Sequence, residues 1–444
     1  MNIGTRSFLD LLSKYSNIEL FTRTGPLIRE SVKMNGTRIV QVTTANDSRT
    51  WKGSVFIDAS YEGDLVQHSG ASHTWGRESR DQYGEPDAGV RPYETFANFL
   101  PQYPVNATLN NGSLAPFISP EKLGPVGSSD SNLMTFTYRL CVTTTKSKQA
   151  SFPRPTNYDA NNFIILQRYI DSLVTSGTYP SGIPITALLD IYSYRDCPMK
   201  DIFDLNGSFK SAFSTDSVNL NKGYINGTDE DRRRIAQDTS DYVLGFLWYI
   251  LTSPDVPVYT RNDLQRYGLC NNQWPENHHM TPQLYVREGL RLVNDNIFTQ
   301  NHVVSGLCRN DTIALGSWEY EIRVVTRTVN NTHVTNEGQM VKDIAKINGS
   351  TSGSAFEIPA SVLLPKRNEV TNLLVPVCHA ASHVAYSTTR LEPTFMLLGG
   401  AAGYFAAFSI IHDRIDVQEV SVREVQQALT RDGVLLHYPR GHCD

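Results

Sequence analysis

The sequence lacks a surplus of charge of either sign. Its 444 residues contain 40 Lys and Arg against 45 Asp and Glu, which gives a formal net charge of −5. A protein that binds a nucleic-acid backbone usually carries a basic surface, and this composition provides none. We therefore expect no nucleic-acid partner.

Closely spaced cysteines are also absent. The six cysteines form no C-x-x-C pair, and no Cys/His cluster has the spacing of a zinc site, so we expect no metal. Scattered single cysteines are more often buried thiols than bridged pairs, and we predict thiols, with disulfides as the alternative. The cysteines are Cys141, Cys197, Cys270, Cys308, Cys378 and Cys443.

No uncharged apolar run reaches the length that a membrane span needs. The longest, Phe395 to Ile411, has 17 residues and contains two adjacent glycines. A spanning helix takes roughly 18 to 20 apolar residues, so we predict a buried helix and no membrane span.

A secretion leader is likewise absent behind Met1, because no charged segment followed by an apolar segment begins the chain. The chain nevertheless has nine Asn-x-Ser/Thr sequons, where its composition would give about five by chance. The number of sequons weakly favours a secretory or extracellular location. The absent leader then means either that the protein is not secreted or that its true N-terminus is missing from this sequence. The sequons begin at Asn35, Asn46, Asn106, Asn111, Asn206, Asn226, Asn310, Asn330 and Asn348.

The hydrophobic pattern predicts a mixture of helices and strands. Asn35-Gly36, between two alternating runs, predicts a type I′ hairpin, and Thr228 with an acid three residues later predicts a helix start. The segment 84–131, rich in Pro, Gly, Asn and Ser, predicts an irregular excursion. The predicted helices cover residues 8–15, 160–176, 228–251, 282–294 and the Phe395 run, and the predicted strands cover 18–22, 54–60, 320–329, 360–364 and 372–378.

Two distant segments share one local plan, in which a buried strand ends in a polar turn that leads to a helix. The first is FIDASYEGDL, and the second is LLVPVCHAASHVAYSTTRLEP. In open α/β sheets, ligands bind outside the carboxyl ends of the strands. The free N–H groups and positive dipole of a helix start suit an anionic group there.

With four further blocks, these segments resemble the FAD-dependent oxidoreductase family that has a glutathione-reductase-type FAD domain. The blocks occur in the family's order and cover about residues 8 to 430. The four further blocks are GRESRDQYGE from Gly76, TFTYRLCVT from Thr135, AFSTD from Ala212 and PQLYVRE from Pro282.

The resemblance implies an α/β fold with FAD as the cofactor. Residues 1–66 and 361–444 would form a discontinuous three-layer FAD/NAD(P)-binding-type domain, and residues 67–360 an inserted α+β substrate domain. The implied activity is hydride transfer from a small organic molecule, such as a carbohydrate, to bound flavin. The alternative is a non-catalytic or truncated member that serves as a secreted glycoprotein scaffold or binding protein.

The resemblance also implies which residues contact the cofactor. His383 would handle a proton beside the flavin or, equally, order its loop, while Arg390 would contact the flavin edge or form an internal salt bridge. Gly399 and Gly400 would let the last helix pack close to the sheet. The implied cofactor contacts are Asp58, Ala59, Ser60, Tyr61, Val377, Cys378, Ser382, Ser387, Glu392, Pro393 and Thr394.

The sequence departs from the family in three places, one of which is that Ala360 and Ser361 stand where the family commonly has an aromatic and a basic residue. The family begins with a strand, a G-x-G-x-x-G turn and a helix that hold the ADP half of FAD, and no such turn precedes Asp58. The resemblance therefore implies that the first βαβ unit is missing. In addition, Glu321-Ile322-Arg323 stands where the family usually has Asp-Ser-His, which removes the side chain best suited to proton transfer near neutral pH.

Three smaller hypotheses concern polar side chains elsewhere. Arg77 and Glu78 follow a turn expected near the flavin ring. His278 and His279 lie in a polar loop that either borders the substrate or has no role. Acids such as Glu62 and Asp64 would support a glycan-cleaving protein only as a carboxylate pair roughly 5 to 10 Å apart in an open cleft.

Overall fold

The computed structural model of the protein describes residues 3–92, 98–193, 201–305, 309–344 and 355–437. Helices and strands are mixed along these segments, as expected for an α/β protein. The α-helices of the described segments are α1 (Ile3–Leu12), α2 (Asp64–His68), α3 (Arg80–Tyr83), α4 (Ile164–Thr175), α5 (Ile185–Leu188), α6 (Asp229–Thr252), α7 (Val258–Leu264), α8 (Gln300–Ser305), α9 (His383–Thr389), α10 (Glu392–Ile411) and α11 (Val422–Arg431). The predicted domain division stays a prediction.

Most strands of the described segments belong to short antiparallel sheets. The strands are β1 (Lys33–Asn35), β2 (Arg38–Thr43), β3 (Thr50–Trp51), β4 (Phe56–Ile57), β5 (His73–Thr74), β6 (Leu140–Thr143), β7 (Gln149–Ala150), β8 (Asp190–Ser193), β9 (Ile202–Asn206), β10 (Gly268–Cys270), β11 (Arg291–Leu292), β12 (Thr312–Ser317), β13 (Tyr320–Ile322), β14 (Thr326–Asn330), β15 (His333–Glu337), β16 (Met340–Lys342), β17 (Ala355–Pro359) and β18 (Leu373–Leu374).

The largest sheet has the order β7-β10-β6-β9-β8, and all its neighbours are antiparallel. A three-stranded meander joins β1, β2 and β3, and the remaining strands form pairs. One of these pairs, β4 with β18, is parallel, with Phe56 opposite Leu373 and Ile57 opposite Leu374. This pair joins the beginning of the chain to its end.

Helix α6 shows why the local sequence signals succeeded. The Thr228 side chain accepts a hydrogen bond from the backbone N–H of Asp231, and the Asp231 carboxylate accepts one from the Thr228 backbone, which completes a capping box. The apolar second half of the helix, including Phe246 and Leu247, is buried against Phe213 and Phe163. The predicted helices near residues 8–15 and 160–176 and the strands within 320–329 are also confirmed.

Several local predictions are wrong. The segment 282–294 is extended and contains β11, 360–364 is a 3-10 turn, and 18–22 is not a strand. In the β1–β2 hairpin only Gly36 has a positive φ, so the turn is not type I′. The predicted strand 54–60 is only β4, and its Ile57 is 42% exposed, because the strand pairs on one side alone among the described residues.

The prediction of free cysteine thiols is also wrong for one pair. Cys141 on β6 and Cys270 on β10 stand on adjacent antiparallel strands and form a disulfide. Antiparallel pairing brings opposite side chains close enough for such a bond although 129 positions separate them in sequence. Cys378 is a buried thiol as predicted, while Cys197, Cys308 and Cys443 lie outside the described residues.

Helix α10 is buried on one face only. Phe395, Leu398 and Phe405 pack into the core, whereas Met396 and Ile411 are 75% and 68% exposed. Within the described residues α10 is the one helix that could cross a membrane by length and composition, and 39% of its most apolar window is buried. The prediction of a buried helix therefore holds for one side of α10.

The glycines of α10 do not mediate close packing with described residues, contrary to the expectation from the sequence. A Cβ atom added at Gly399 or Gly400 would meet no described atom within 4 Å. We therefore expect Gly400→Ala to raise the free energy of unfolding by about 0.5–1 kcal/mol, since alanine loses less backbone entropy in a helix. Urea unfolding followed by circular dichroism measures this change.

Gly76→Ala provides the opposite case for the same assay. Gly76 has a φ of +80°, and an added Cβ would lie 2.3 Å from the Asp130 carbonyl oxygen. We expect this variant to lose stability by more than about 1 kcal/mol. A destabilised Gly400→Ala would show that the outer face of α10 is packed in solution.

Candidate functional site

The two segments that resemble the family's cofactor-binding turns meet in the structure. Because β4 and β18 are parallel neighbours, the turns after both strands lie at the same edge of the pair. The Cys378 thiol lies 3.5 Å from the Ser60 carbonyl oxygen and 3.6 Å from that of Tyr61. The Tyr61 ring in turn contacts Phe395 at the start of α10.

The polar groups of the first turn are already engaged within the protein. The buried Asp58 carboxylate accepts hydrogen bonds from Ser60, through both its backbone N–H and its hydroxyl, and from the backbone of Leu65 and Val66. Asp58 thus fixes the turn to the start of α2. Burial raises the pKa of Asp58, against the opposing effect of these hydrogen bonds. Its structural role is clear, and Ala59 between these residues is exposed.

The second segment is buried throughout. Every residue from 370 to 390 is shielded from solvent. Ser382 caps α9 by accepting from the Ala385 backbone and donates 2.6 Å to Glu85, while Ser387 donates to Val384 within the helix. The Val377 carbonyl accepts from the Tyr386 hydroxyl at 3.2 Å. Val377, Ser382 and Ser387 therefore stabilise the loop and the helix that leads to α10.

Cys378 has the properties of a structural cysteine. Burial raises the pKa of its thiol well above the usual value, and the charge of Asp58 acts in the same direction. A protonated thiol is a poor nucleophile. The arrangement gives no support to covalent chemistry at this residue.

His383 lies in a buried cluster of charges. Its Nδ1 atom is 2.8 Å from Glu288, and its backbone N–H donates 2.9 Å to Glu78. Arg291 binds both carboxylates, at 2.6 Å from Glu78 and in close contact with Glu288. The His383 Nε2 atom is buried without a hydrogen-bond partner among the described residues, and His383 does not line the cavities found there.

Arg390 forms an internal salt bridge, which is the alternative to the flavin contact that the sequence analysis gives for this residue. Its Nη2 atom donates 3.0 Å to the Glu321 carboxylate, whose other oxygen accepts from Trp318 at 2.9 Å. Burial alone would raise the pKa of Glu321, but Arg390 and then Arg323 lower it below the usual value. Glu321 is therefore ionised and held at both oxygens.

A cavity of about 540 Å³ opens beside Glu321 and the start of α10. Its volume lies within the range of small-molecule sites. Several of its lining residues, among them Tyr192, Asp204, Phe209 and Trp318, were not candidates in the sequence analysis, because they lie far along the chain from both turns. The cavity is lined by Arg139, Tyr192, Asp204, Asn206, Phe209, Tyr285, Trp318, Glu319, Glu321, Arg323, Leu391, Glu392 and Pro393.

Ion pairs hold the charged side chains of this cavity in place. Arg139 pairs with Asp204 and lies over the Tyr285 ring, 5.4 Å from its centroid. Behind the wall, buried Asp216 is 2.9 Å from Arg287 and 3.5 Å from Arg323. Burial lowers the pKa of Arg287 to about 10, against the opposing effect of Asp216. The acid of the AFSTD block thus supports the cavity.

A second cavity, of about 510 Å³, lies outside the end of β4. Asp64 forms an ion pair with Arg232 at 2.8 Å, and Glu62 accepts from the Tyr224 hydroxyl at 3.0 Å. Burial raises the pKa of Glu62. Because Asp64 is neutralised by its arginine, this pair of acids favours a structural role over glycan cleavage.

A family model described as FAD dependent oxidoreductase matches residues 2–429, nearly the whole chain. The chain belongs to this family. The resemblance inferred from the six blocks is therefore confirmed, and FAD is the cofactor that membership implies. Comparison with curated proteins and with solved structures gave no match.

The described residues of this FAD-dependent oxidoreductase fit one end of the cofactor. The cavity at α10 has aromatic walls, and no side chain caps the helix start at Leu391. Pro393 has no N–H, so the backbone donors of the first turn that could face an electronegative ring edge are those of Glu392 and Thr394. The ADP end does not fit in the same way, since the chain has no G-x-G-x-x-G turn for the pyrophosphate.

The other residues singled out in the sequence have structural contacts. Arg77 binds Asp130 and Glu337 in the protein interior, and Glu78 belongs to the Arg291 cluster. His278 is exposed, and His279 contacts the Gln273 carbonyl oxygen in the same loop. None of the four lines the cavity at α10. Within the described residues, no group of acids, histidines and cysteines could hold a metal ion.

His379 makes stability depend on pH in a defined window. It is fully buried between the Val377 carbonyl and the Thr389 hydroxyl, and burial lowers its pKa from 6.5 to about 4. Between these two pH values His379 is protonated in the unfolded chain and neutral in the folded protein. The free energy of unfolding therefore falls as pH falls from 6.5 toward 4. We expect His379→Gln to weaken this fall, as measured by urea midpoints across that range.

His278→Asn is the matched control for this pH dependence. His278 is exposed and has a φ of 52°, a conformation that asparagine tolerates. This variant should follow the wild-type profile. A His379→Gln profile that also coincides with the wild type would contradict the assignment.

Proposed function

We propose that the protein is an FAD-dependent oxidoreductase that removes a hydride from a small polar molecule of carbohydrate-like chemistry. The observation that carries this proposal is the cavity at the start of α10, where aromatic rings alternate with ion-paired acids and arginines. Aromatic faces pack on the C–H faces of a sugar, and ionised side chains bind its hydroxyls. A purely apolar substrate would remove water from these charged groups without offering them a hydrogen bond in return.

Glu321 and Arg323 would orient the substrate from one wall. Glu321 is ionised and fixed by Arg390 and Trp318, so its carboxylate can accept a hydrogen bond from a substrate hydroxyl without first reorganising. Arg139 and Asp204 form a second donor and acceptor pair in the same cavity. Two such pairs would fix both the position and the direction of a polyhydroxylated molecule.

The cofactor's ring end would be held at Glu392, Pro393 and Thr394, where α10 begins. When bound, FAD supplies the acceptor for the hydride. Tyr61 contacts Phe395 beside this position, and burial, followed by the charge of Glu392, raises the pKa of Tyr61 to about 12. Tyr61 therefore stays neutral and can pack against a ring.

His383 and Arg390 are best assigned to positioning. Glu288, 2.8 Å from the His383 Nδ1 atom, would accept a hydrogen bond from it and so fix the tautomer of a residue that begins α9. Arg390 follows α9 directly and holds Glu321. In this proposal both act on the cavity through the groups they hold.

The absorbance of the purified protein tests the cofactor part of the proposal. We expect flavin bands after incubation with FAD and gel filtration, and anaerobic bleaching of those bands by at least one member of a panel of monosaccharides and polyols. A colourless protein that takes up no FAD would overturn the enzyme proposal and support the non-catalytic scaffold instead.

Substitution of a wall residue tests the substrate part without cofactor. Tyr192 is 45% exposed in the cavity, and we expect Tyr192→Ala to weaken binding of the best sugar roughly 3- to 10-fold, the loss of one aromatic contact. The dissociation constant of the sugar can be measured by titration followed by tryptophan fluorescence, because Trp318 lines the same cavity. Tyr259, 51% exposed on α7 away from the cavity, gives the control Tyr259→Ala, and equal effects would contradict the site.

A further inference from the structure

None of the exposed sequon asparagines in the described segments lines the cavity at α10, whereas the buried Asn206 does. We propose that its exposed sequon asparagines carry N-linked glycans added in an oxidising compartment, that Asn106, Asn111 and Asn330 form one glycosylated face, and that Asn206 stays unmodified. Of the nine sequons, Asn348 lies outside the described residues. Of the eight others, seven have an exposed asparagine, and Asn206 alone is buried.

Asn106 and Asn330 are neighbours in space. Asn106 and Asn330 each stand opposite His333, the first through an isolated bridge and the second through the β14–β15 hairpin. The Ala107 backbone N–H donates 3.0 Å to the carbonyl of Thr332, which belongs to the Asn330 sequon. The loop that carries Asn111 begins at Leu109, three residues after Asn106. Three acceptors therefore crowd on one face of the molecule.

Asn106 and Asn111 also present their amide groups in a modifiable form. The Oδ1 atom of Asn106 accepts hydrogen bonds from the backbone and hydroxyl of Thr108, and the Oδ1 atom of Asn111 accepts the same pair from Ser113. Each turn occupies the amide oxygen and leaves the amide nitrogen without a bond to any described residue. The nitrogen is the atom that receives a glycan.

The disulfide is an independent observation in favour of the same compartment. Cys141 and Cys270 are bonded across adjacent strands, and such bonds persist in secreted and lumenal proteins, while the cytosol keeps thiols reduced. The sequons and the disulfide lie on different parts of the fold and depend on different chemistry. They agree on an oxidising, glycosylating route.

Asn206 is the sequon asparagine at which a glycan would interfere with the cavity at α10. Its side chain is 7% exposed and lines the cavity, and its Oδ1 atom accepts from the Gly207 backbone and from Arg287 at 3.0 Å. A glycan on the amide nitrogen of this buried residue would have to occupy the cavity. A folded protein with an open cavity must therefore carry Asn206 unmodified.

Protein isolated from its native source, with thiols alkylated during lysis, tests the proposal. Release of glycans by peptide N-glycosidase in heavy-oxygen water converts each modified asparagine to labelled aspartate. We expect label at most of the seven exposed sites, including Asn106 and Asn330, none at Asn206, and a non-reduced peptide that joins Cys141 to Cys270. No label at any sequon, or label at Asn206 in the folded protein, or alkylated Cys141 and Cys270, would each overturn it.

Variants expressed with a secretion leader in a eukaryotic host test whether the face formed by Asn106, Asn111 and Asn330 carries a glycan. Thr332→Ala removes the Asn330 sequon, and we expect the loss of one glycan by mass with the cavity's sugar affinity unchanged. Thr178→Ala, an exposed threonine outside every sequon, is the control and should leave the glycan mass unchanged. An unchanged glycan mass in Thr332→Ala would contradict modification at Asn330.

Discussion

Arg291→Met should lower the free energy of unfolding by about 3–5 kcal/mol. Arg291 is completely buried and binds the Glu78 and Glu288 carboxylates, each also buried. Methionine fills similar space but leaves two acids in the interior without a positive partner. Urea unfolding followed by tryptophan fluorescence measures the loss.

The pH dependence of this variant identifies the cause. In the wild type, burial would raise the pKa of Glu78, but Arg291 and the His383 backbone lower it below the usual value. Without Arg291 we expect burial to raise that pKa, and a raised carboxyl pKa contributes stability at low pH that is lost as pH rises. The deficit of Arg291→Met relative to wild type should therefore be larger at pH 7.5 than near pH 4.5.

Arg234→Met is the control for the loss of an arginine. Arg234 has its side chain 60% exposed on α6, where it pairs with Asp231 and Asp238. Exposed pairs of this kind contribute well under about 1 kcal/mol. If Arg291→Met cost no more than this control, the buried cluster would not stabilise the fold.

Buried ion pairs connect several of the blocks by which this chain resembles its family. Glu78 of GRESRDQYGE and Glu288 of PQLYVRE share Arg291, and Glu288 also holds His383 of the last block. Asp216 of AFSTD binds Arg287 in the same way. Charged side chains thus connect four of the six blocks across the chain, while Arg139 and Asp64 of the other two pair with Asp204 and Arg232 outside the blocks.

Local signals in the sequence predicted local structure well. The capping box of Thr228 and the apolar pattern that follows depend on residues within one helix, and α6 begins and ends within a residue of the prediction. The same reasoning failed for 282–294, where Leu284, Val286, Leu290 and Leu292 are all buried. These buried residues are separated by multiples of two positions, which is the period of an extended segment. The helix predicted from the apolar residues of this segment is therefore wrong.

The site shows the limit of sequence reasoning more clearly. The shared plan of the two segments is clear from the sequence, but their meeting depends on the parallel pairing of β4 with β18, and Asp58 and Ser382 bind the first turns of helices. The walls of the cavity come from Arg139, Asp204 and Trp318, whose meeting depends on the antiparallel sheet and not on any motif. Among the residues that line the cavity, the family resemblance implies Glu392 and Pro393 as cofactor contacts, and Glu321 and Arg323 are departures from the family pattern.

Loss of the Cys141–Cys270 disulfide should have the second large effect, about 2–5 kcal/mol of unfolding free energy. The bond closes a loop with a sequence separation of 129, and a long closed loop restricts the unfolded chain strongly. It also joins β6 to β10 within the largest sheet, whose strand β9 contributes Asp204 and Asn206 to the cavity. The doubly substituted Cys141→Ala/Cys270→Ala protein should therefore unfold at lower urea and bind sugar more weakly.

Dithiothreitol separates the disulfide's contribution from that of the substituted side chains. The wild type should lose about the same 2–5 kcal/mol on full reduction, whereas the double variant should not change with the reductant. Cys378, the one free thiol among the described residues, is buried and protonated, so reduction leaves it as it is. A wild type indifferent to reductant at every urea concentration would show that the two thiols are not bonded in solution, and this result would contradict the proposed oxidising compartment.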